Sequence, residues 1–586
     1  MFLSACGGGG SASGTPDTPD TPIVTTNSDE AAGSNCIFGG TRVDSGLDTN
    51  DNGILDAPEA TDVSYICASE QPFDDLVFLV DTDVDGQFAL YRADKTSNSP
   101  LLLAAPIAVG GSITQFKISP DREKVAFRGD VETDGVTELY SMNLSDGLPA
   151  IKVSGAIVEG GNINSFEWSP DSSMLAYRGD QDTFSIPELY TVLLDGSSRT
   201  KISGAMTAGG NVSSGFQWSP DSAQLLYRAD QETDEIAELY TVNADGSSNL
   251  KISGEMIAEG DVVSYHWAPN GSRVAFIADR ETDGFRELYT VLPTGTDDIK
   301  VSGSLAVDGD VSTYKWAPDS SLIAYVADQN IDGKRELFTT DPTVATSFTL
   351  VSAIAPDGGG IAGFGSRFDW SPSNSRLAYT ADQNTDNVFE LYTVFSDGSD
   401  NIKVSGILPA NSDVASFNWA PDGSRLAYRA DQNTDNVFEL YTVQPGGTQN
   451  VKVSDTLVIG GGVSSSFAWA PDSSLIAYRA DQDTDDVFEL YVTPPAPVGG
   501  GGGGISSTKI SGNMVSGGDT SSSTFSWSPD SRFIAYHADQ DTDEVFELYT
   551  TSVDSFDNTP ISGVLTGTSD VSTFAWELPR SASLGF

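Results

Sequence analysis

The sequence predicts an all-β fold, a β-propeller of about ten four-stranded blades, and three observations carry that prediction. All nine tryptophans occupy one slot of a repeating unit: Trp168, Trp218, Trp267, Trp316, Trp370, Trp419, Trp469, Trp527 and Trp576, with Ile118 in the equivalent slot before them. The unit is about 50 residues long and reads, from Ser466, SFAWAPDSSLIAYRADQDTDDVFELYVT. Composition agrees: helix formers are scarce, while 59 Gly, 19 Tyr and 28 Phe favour turns and pleated strands.

Each segment of the unit has a local reason. SFAW is a strand that stops at a Pro-Asp turn, where Pro presets φ and Asp bonds its own backbone. LIAYRA is a second strand running into an acidic loop, FELYV is a third, and a weaker fourth ends in KVSG or KISG. Four short antiparallel strands per unit make one propeller blade. The long interval between Trp469 and Trp527 holds the glycine run 499–504, so it is a loop insertion.

The chain ends indicate how the ring closes. LVFLVDTDVDGQFALYRAD (76–94) has a second and third strand with no Trp strand before them, and VSTFAW (571–576) is a Trp strand with nothing after it. Joined, they complete one blade, which resembles the velcro closure of propellers and leaves no open sheet edge. No partial repeat interrupts the middle of the chain, so one large ring is favoured; two smaller propellers are the alternative. The pattern W-[SA]-P-D, then [IL]-A-Y, then E-L-Y resembles the TolB-type (PD40) repeat, a family that includes the propellers of prolyl-oligopeptidase-like peptidases. The resemblance spans roughly residues 73–586. It implies the fold and little chemistry, with the Trp row as core between blades.

With 30 Lys+Arg against 84 Asp+Glu, the net charge is −54. Such a surface repels nucleic acid and anionic lipid headgroups and attracts cations. Leu3-Ser4-Ala5-Cys6 resembles a bacterial lipobox, so residues 1–6 are expected to be a signal remnant with Cys6 lipidated. The charged and most of the apolar part of a signal peptide are missing ahead of it, as if the start were placed late. Residues 7–34 are expected to be a Gly/Ser/Thr/Pro tether, and no later segment has the apolar length of a membrane helix. By analogy with lipoproteins, Gly7 after the cysteine points to the outer membrane. The cell envelope is therefore the expected location, with the lipid as the only membrane contact.

Residues 35–68 are expected to form a small module closed by a Cys36–Cys67 disulfide. Inside it, DTNDNGILDAPE fits the twelve-residue calcium loop of EF-hands and dockerins: Asp48, Asn50, Asn52, Asp56 and the closing Glu59 supply oxygens, and Gly53 allows the sharp turn. From residue 73 the blade loops repeat acids at positions 1, 3, 5 and 9. The best copies are Asp81, Asp83, Asp85; Asp279, Glu281, Asp283, Glu287; Asp481, Asp483, Asp485, Glu489; and Asp539, Asp541, Asp543, Glu547. They resemble the D-x-D-x-D-G-x-x-D calcium hairpins of integrin-type propellers. Two readings stay open for them: calcium in several loops, or ion-paired turns neutralised by Arg128, Arg178, Arg228, Arg429 and Arg479. Phe184 breaks the pattern where a third acid belongs.

Catalytic patterns are lacking. His266 and His537 occupy different blade positions without a Ser or Cys partner motif, and no G-x-S-x-G, H-E-x-x-H or zinc-spaced Cys pair occurs. Nor does a hydrolase domain follow the repeats, as in the peptidase relatives. The sequence thus points to a non-catalytic, calcium-stabilised envelope lipoprotein acting as a scaffold for a protein or glycan. The alternative is an envelope hydrolase or lyase using carboxylates in the propeller channel. The partner is expected to be an envelope protein or polysaccharide, bound through the variable loops at 353–368 and 494–505.

Overall fold

The structure, a computed structural model, describes residues 23–30, 40–47, 62–67, 75–81, 86–145, 147–353, 359–361, 368–497, 506–563, 565 and 569–576. The chain divides near residue 73 into two compact units. In the first, strands Ile23–Glu30, Gly40–Leu47 and Asp62–Cys67 pair antiparallel in that order, from Ile23 opposite Leu47 and Gly40 opposite Cys67. The first strand lies inside the stretch expected to be a tether. IVTTNSDE has β-branched residues but no apolar–polar alternation, so it is pairing with Gly40–Leu47 that makes it a strand. Cys6, Cys36 and the Asp48–Glu59 loop lie outside the described residues, and Cys67 ends the third strand.

The second unit is ten separate four-stranded antiparallel sheets, the blades of a propeller, and no helix occurs among the described residues. We number the blades 1–10 and their strands a–d. Blade 1 is composite: strand a is Val571–Trp576, paired with b at Leu76–Val80, then c at Ala89–Ala93 and d at Leu101–Ala104. Blades 2–10 each run a to d in sequence. Blade 9, for example, has Val463–Trp469, Ile476–Ala480, Glu489–Thr493 and Thr508–Lys509.

Register follows from the alternation. In blade 9, Tyr478 of strand b faces Tyr491 of strand c, and the rings stack at 5.5 Å. The same pair recurs as Tyr177–Tyr190, Tyr428–Tyr441 and Tyr536–Tyr549. The other face of each sheet carries aliphatic residues, and the core forms where the two faces meet. Trp469, Phe467 and Ile476 of blade 9 pack on Ala427, Leu440 and Val453 of blade 8. The composite blade does the same on both sides: Trp576 and Phe78 join Leu548 of blade 10, while Val77 and Leu79 join Val125 and Phe127 of blade 2. No blade can bury its apolar faces without its neighbours.

Polar links reinforce the seams. Seven indoles donate Nε1 to the strand-a carbonyl of the preceding blade, as Trp168 to Lys117 (2.9 Å) and Trp576 to Ser526 (3.0 Å). The strand-c threonine donates to the next blade's c–d turn, and Thr550 to Lys95 (2.5 Å) makes that link across the closure. After each W-[SA]-P-D, one residue sits in the left-handed region: Ser172 at φ 61°, Ser222 at 62°, and Gly271 and Gly423 where serine is replaced. That region costs a side chain about 1 kcal/mol, yet serine is retained because its hydroxyl accepts the amide of the preceding blade's turn, as Ser222 Oγ does from Asp171 N (3.0 Å).

His537 sits at the closing seam, in the strand-b slot that holds arginine in five blades and Ile277, Val326 and Thr380 in three others. Its ring meets Phe574 of blade 1 at 4.8 Å, and burial pulls its pKa from 6.5 to about 4. Below the unfolded value the unfolded chain takes up this proton first. The stability is therefore full above pH 6.5 and is lost as pH falls through about 4. His537→Val should reduce the loss of stability between pH 6.5 and 5.5 by on the order of 1 kcal/mol, read from denaturant melts at the two pH values; an unchanged pH slope contradicts this.

Candidate functional site

The acidic loops connect strands b and c, and in blade 9 the loop begins at Asp481, which is 4% exposed. Its Oδ1 accepts the amide of Gly462, just before strand a (2.6 Å), and its Oδ2 accepts the amide of Asp486, five residues on (3.2 Å). The first aspartate does this in every blade, for example Asp279 with Asp261 N (2.6 Å) and Gly284 N (3.1 Å), and Asp539 with Asp519 N (2.5 Å) and Glu544 N (3.0 Å). The residue so pinned always has positive φ, from Gly284 (77°) to Asp486 (61°) and Glu544 (64°). A buried carboxylate thus gains donors, and a strained turn residue is held in place.

The closing glutamate has different partners. Glu489 Oε1 accepts from Lys509 Nζ (2.8 Å) and Oε2 from the Tyr491 hydroxyl (2.9 Å). Glu287 repeats the arrangement with Lys300 and Tyr289, each at 2.7 Å. The third position joins the same lysine from outside: Glu232 meets Lys251 at 2.8 Å and Glu281 meets Lys300 at 3.3 Å. Burial opposes the charge of Lys251, but its bonds to Glu232 and Glu238 outweigh this and lift its pKa well above the ordinary lysine value. Burial first, then Glu489, raise Tyr491. Asn330 Nδ2 donates to Glu336 (2.5 Å), as Asn384 does to Glu390 beside Lys403; in blade 10, where strand d lacks lysine, the Leu565 amide serves Glu547, whose other oxygen takes Tyr549, and Asp541 meets the same hydroxyl at 3.1 Å.

Positions 1 and 9, expected to share one shell, are therefore committed to separate sets of donors. Among the described residues, only Asp481, Asp485 and Asp486 bring three metal-ligating side chains within 4.8 Å of one another, and Asp485 and Asp486 are exposed. The sets Asp279, Glu281, Asp283, Glu287 and Asp539, Asp541, Asp543, Glu547 do not form such a group. Asp483 lies beside Tyr491, contributing to its raised pKa, and Asp83 and Asp85 lie outside the described residues. A four-carboxylate calcium shell does not fit this arrangement. The arginines before the loops do two things: Arg178, Arg429 and Arg479 interact electrostatically with the opening aspartates Asp180, Asp431 and Asp481, and they also reach the next blade. Arg178 Nε donates to Val212 O (2.6 Å), Arg429 Nε to Val463 O (2.7 Å) and Arg479 Nε to Thr520 O (2.9 Å), each on the next blade's strand a, so they tie blades together.

A second candidate site was not visible from the repeats' constant positions. First strands of adjacent blades meet along the inner wall of the ring, and the residue before the tryptophan slot lies half-exposed there. In blades 2–8 it is Lys117, Glu167, Gln217, His266, Lys315, Asp369 and Asn418; in blades 9, 10 and 1 it is Ala468, Ser526 and Ala575. Neighbours interact: Lys117 pairs with Glu167 (2.5 Å) and Lys315 with Asp369 (2.8 Å), while Gln217 Nε2 donates to Tyr265 O (2.9 Å) and His266 Nδ1 lies 3.2 Å from the Tyr314 hydroxyl. Burial lowers the His266 pKa. The available signal was that this position changes from blade to blade inside an otherwise repeated strand.

Strand pairing and closure define the second unit as a ten-bladed β-propeller. Residues 23–67 match a family described as a domain of unknown function (DUF7151). No curated protein sequence matches the chain. Among solved structures, it is similar to oligogalacturonate lyase from Vibrio parahaemolyticus at 15% identity, covering 64% of this chain and 98% of that one, with a TM-score of 0.32. TolB from Acinetobacter baumannii matches at 14% identity over 64% and 78%, with a TM-score of 0.25. Dipeptidyl peptidase 4 of Porphyromonas gingivalis matches at 11% over 71% and 58%, with a TM-score of 0.39. Enzymes and TolB thus stand side by side, and at these values no activity carries over.

The Glu–Tyr–Lys trio gives a quantitative expectation. Lys509→Met leaves Glu489, 5% exposed, without its cation and should cost about 2–4 kcal/mol. Adding Glu489→Gln should recover part of that loss. A lysine substitution as mild as a surface one, below about 0.5 kcal/mol, contradicts the internal role of the trio.

Proposed function

We propose that this chain is a non-catalytic lipoprotein of the cell envelope, most simply the outer membrane, whose propeller is a scaffold that binds an envelope protein or polysaccharide. The observation that carries the reading is the contrast between the two carboxylate populations. The first and closing acids of the repeated loops are spent on amides, lysines and tyrosines inside the blades, whereas the half-exposed wall position differs from blade to blade, as a recognition surface requires. Against a glycoside hydrolase stands the pairing of the wall carboxylates Glu167 and Asp369 with lysines, which spends on ion pairs the acids that a two-carboxylate mechanism needs. The histidines are packed against aromatic groups of neighbouring blades.

Anchoring rests on the lipobox-like Leu3-Ser4-Ala5-Cys6, and the small module is proposed to be closed by Cys36–Cys67. Calcium is assigned to Asp48, Asn50, Asn52, Asp56 and Glu59 on residue type and spacing, not to the blade loops. The precursor should partition into detergent and Cys6→Ser should abolish that; equal partitioning removes the anchor. Immobilised protein should retain an envelope component without cleaving it, and turnover of that component overturns the scaffold reading. Calcium should bind the whole chain with about one-site stoichiometry and not the chain from residue 74. EDTA should leave melting of that shorter chain unchanged, whereas a fall in its melting temperature would return calcium to the blade loops.

A further inference from the structure

At the a–b turn end of the inner wall, blades 6–9 border an open, shallow cavity of about 500 Å³. It is lined by the indoles of Trp316, Trp370, Trp419 and Trp469, by Pro318 and Pro372, and by the wall residues Lys315, Asp369, Asn418 and Ala468. The volume falls within the range of small-ligand sites. We propose that this cavity binds a neutral oligosaccharide. The inference rests on the scaffold reading and names the ligand class and its place.

Charge decides the class. The only full charges lining the cavity are Lys315 and Asp369, and they pair with each other at 2.8 Å while staying 33% and 49% exposed. The cavity is therefore electrically balanced inside a chain of net charge −54. An anionic ligand meets no unpaired cation there and is repelled by the surrounding field. A cationic ligand is drawn instead to the exposed acids of the b–c loops, such as Asp485 and Asp486. A neutral polyol suits the pair, because its hydroxyls donate to Asp369 and accept from Lys315 without breaking the ion pair. Asn418 adds an amide with both roles; one of its N–H groups reaches Phe467 O only at 3.4 Å.

The apolar side is equally suited. Trp370, Trp419 and Trp469 are 5–9% exposed, so with Pro318 and Pro372 they give the cavity a mostly apolar floor on which the C–H groups of a sugar can rest. The regular indole link lapses at the blade 6 edge of the cavity. Trp370, Trp419 and Trp469 donate to the preceding blade, but the buried Nε1 of Trp316 and of Trp267 has no acceptor in reach. The seam from blade 4 to blade 6 thus lacks the regular link that holds the others, and the cavity begins at its edge.

The fold supplies its own control. Blades 9 and 1 carry Ala468 and Ala575 in the wall slot, so alanine there is compatible with the propeller. The test titrates the full-length protein with cellohexaose, maltohexaose and laminarihexaose, read by tryptophan fluorescence and calorimetry, beside oligogalacturonate, a chitosan oligomer and an extended peptide. At least one neutral hexasaccharide should saturate, with affinity unchanged up to about 0.5 M salt, as expected without net charge in the site. Asp369→Ala with Asn418→Ala should weaken it at least about tenfold with an unchanged melting temperature, and Lys117→Ala on the far wall should leave it intact. No saturable neutral sugar, tighter binding of a charged oligomer or of the peptide, or full affinity in the double variant each overturns the proposal. Peptide binding of that kind preserves the scaffold reading, while cleavage of a bound sugar overturns that reading instead.

Discussion

A carboxylate removed from water must be given donors or its burial is unaffordable in free energy. In this propeller the donors are backbone amides on one side of the loop and a lysine with a tyrosine on the other. The aspartate that opens each b–c loop joins the amide before strand a to the amide of the left-handed residue five positions on, as Asp481 does with Gly462 and Asp486. One side chain thereby fixes a loop, a strand entrance and a strained turn together. Ten copies of this clamp set where strand a enters each sheet, and that entrance positions the wall residues at the strand's other end.

The same economy explains why a chain of this charge can form so large a ring. Blades have no complete core of their own; Trp469 of blade 9 is finished by Ala427 and Leu440 of blade 8. The ring is stable only when closed, and Val571–Trp576 closes it by pairing beside Leu76–Val80. The acids on the b–c loops then surround one rim, where exposure and partial pairing keep their mutual repulsion small. The opposite, a–b turn end carries tryptophans and balanced ion pairs.

Much of this was legible in the sequence because ten imperfect copies align with one another. The Trp slot, the turn after it, the composite blade and the absence of a second closure could all be read from spacing. What was hidden were partners that spacing does not reveal. Glu489 looks like a ninth-position metal ligand until strand d brings Lys509 beside it, and the bond that Arg429, beside Asp431 of its own loop, also makes to Val463 O of the next blade has no sign in the spacing. Ile23–Glu30 read as tether because only its pairing with Gly40–Leu47 makes it a strand. The wall slot escaped notice for the opposite reason: it is where the copies disagree, so Lys315, Asp369 and Asn418 dropped out of a pattern defined by agreement.

The most direct test of the carboxylate clamp is hydrogen exchange of the loop amides in EDTA. The amides of Gly462 and Asp486, and of Asp261 and Gly284 in blade 5, should be protected without any divalent ion, because their acceptors are carboxylates of the chain itself. Exchange at unprotected rates in EDTA, with protection appearing only when calcium is added, would contradict the account and make the loops metal sites that fold around an ion.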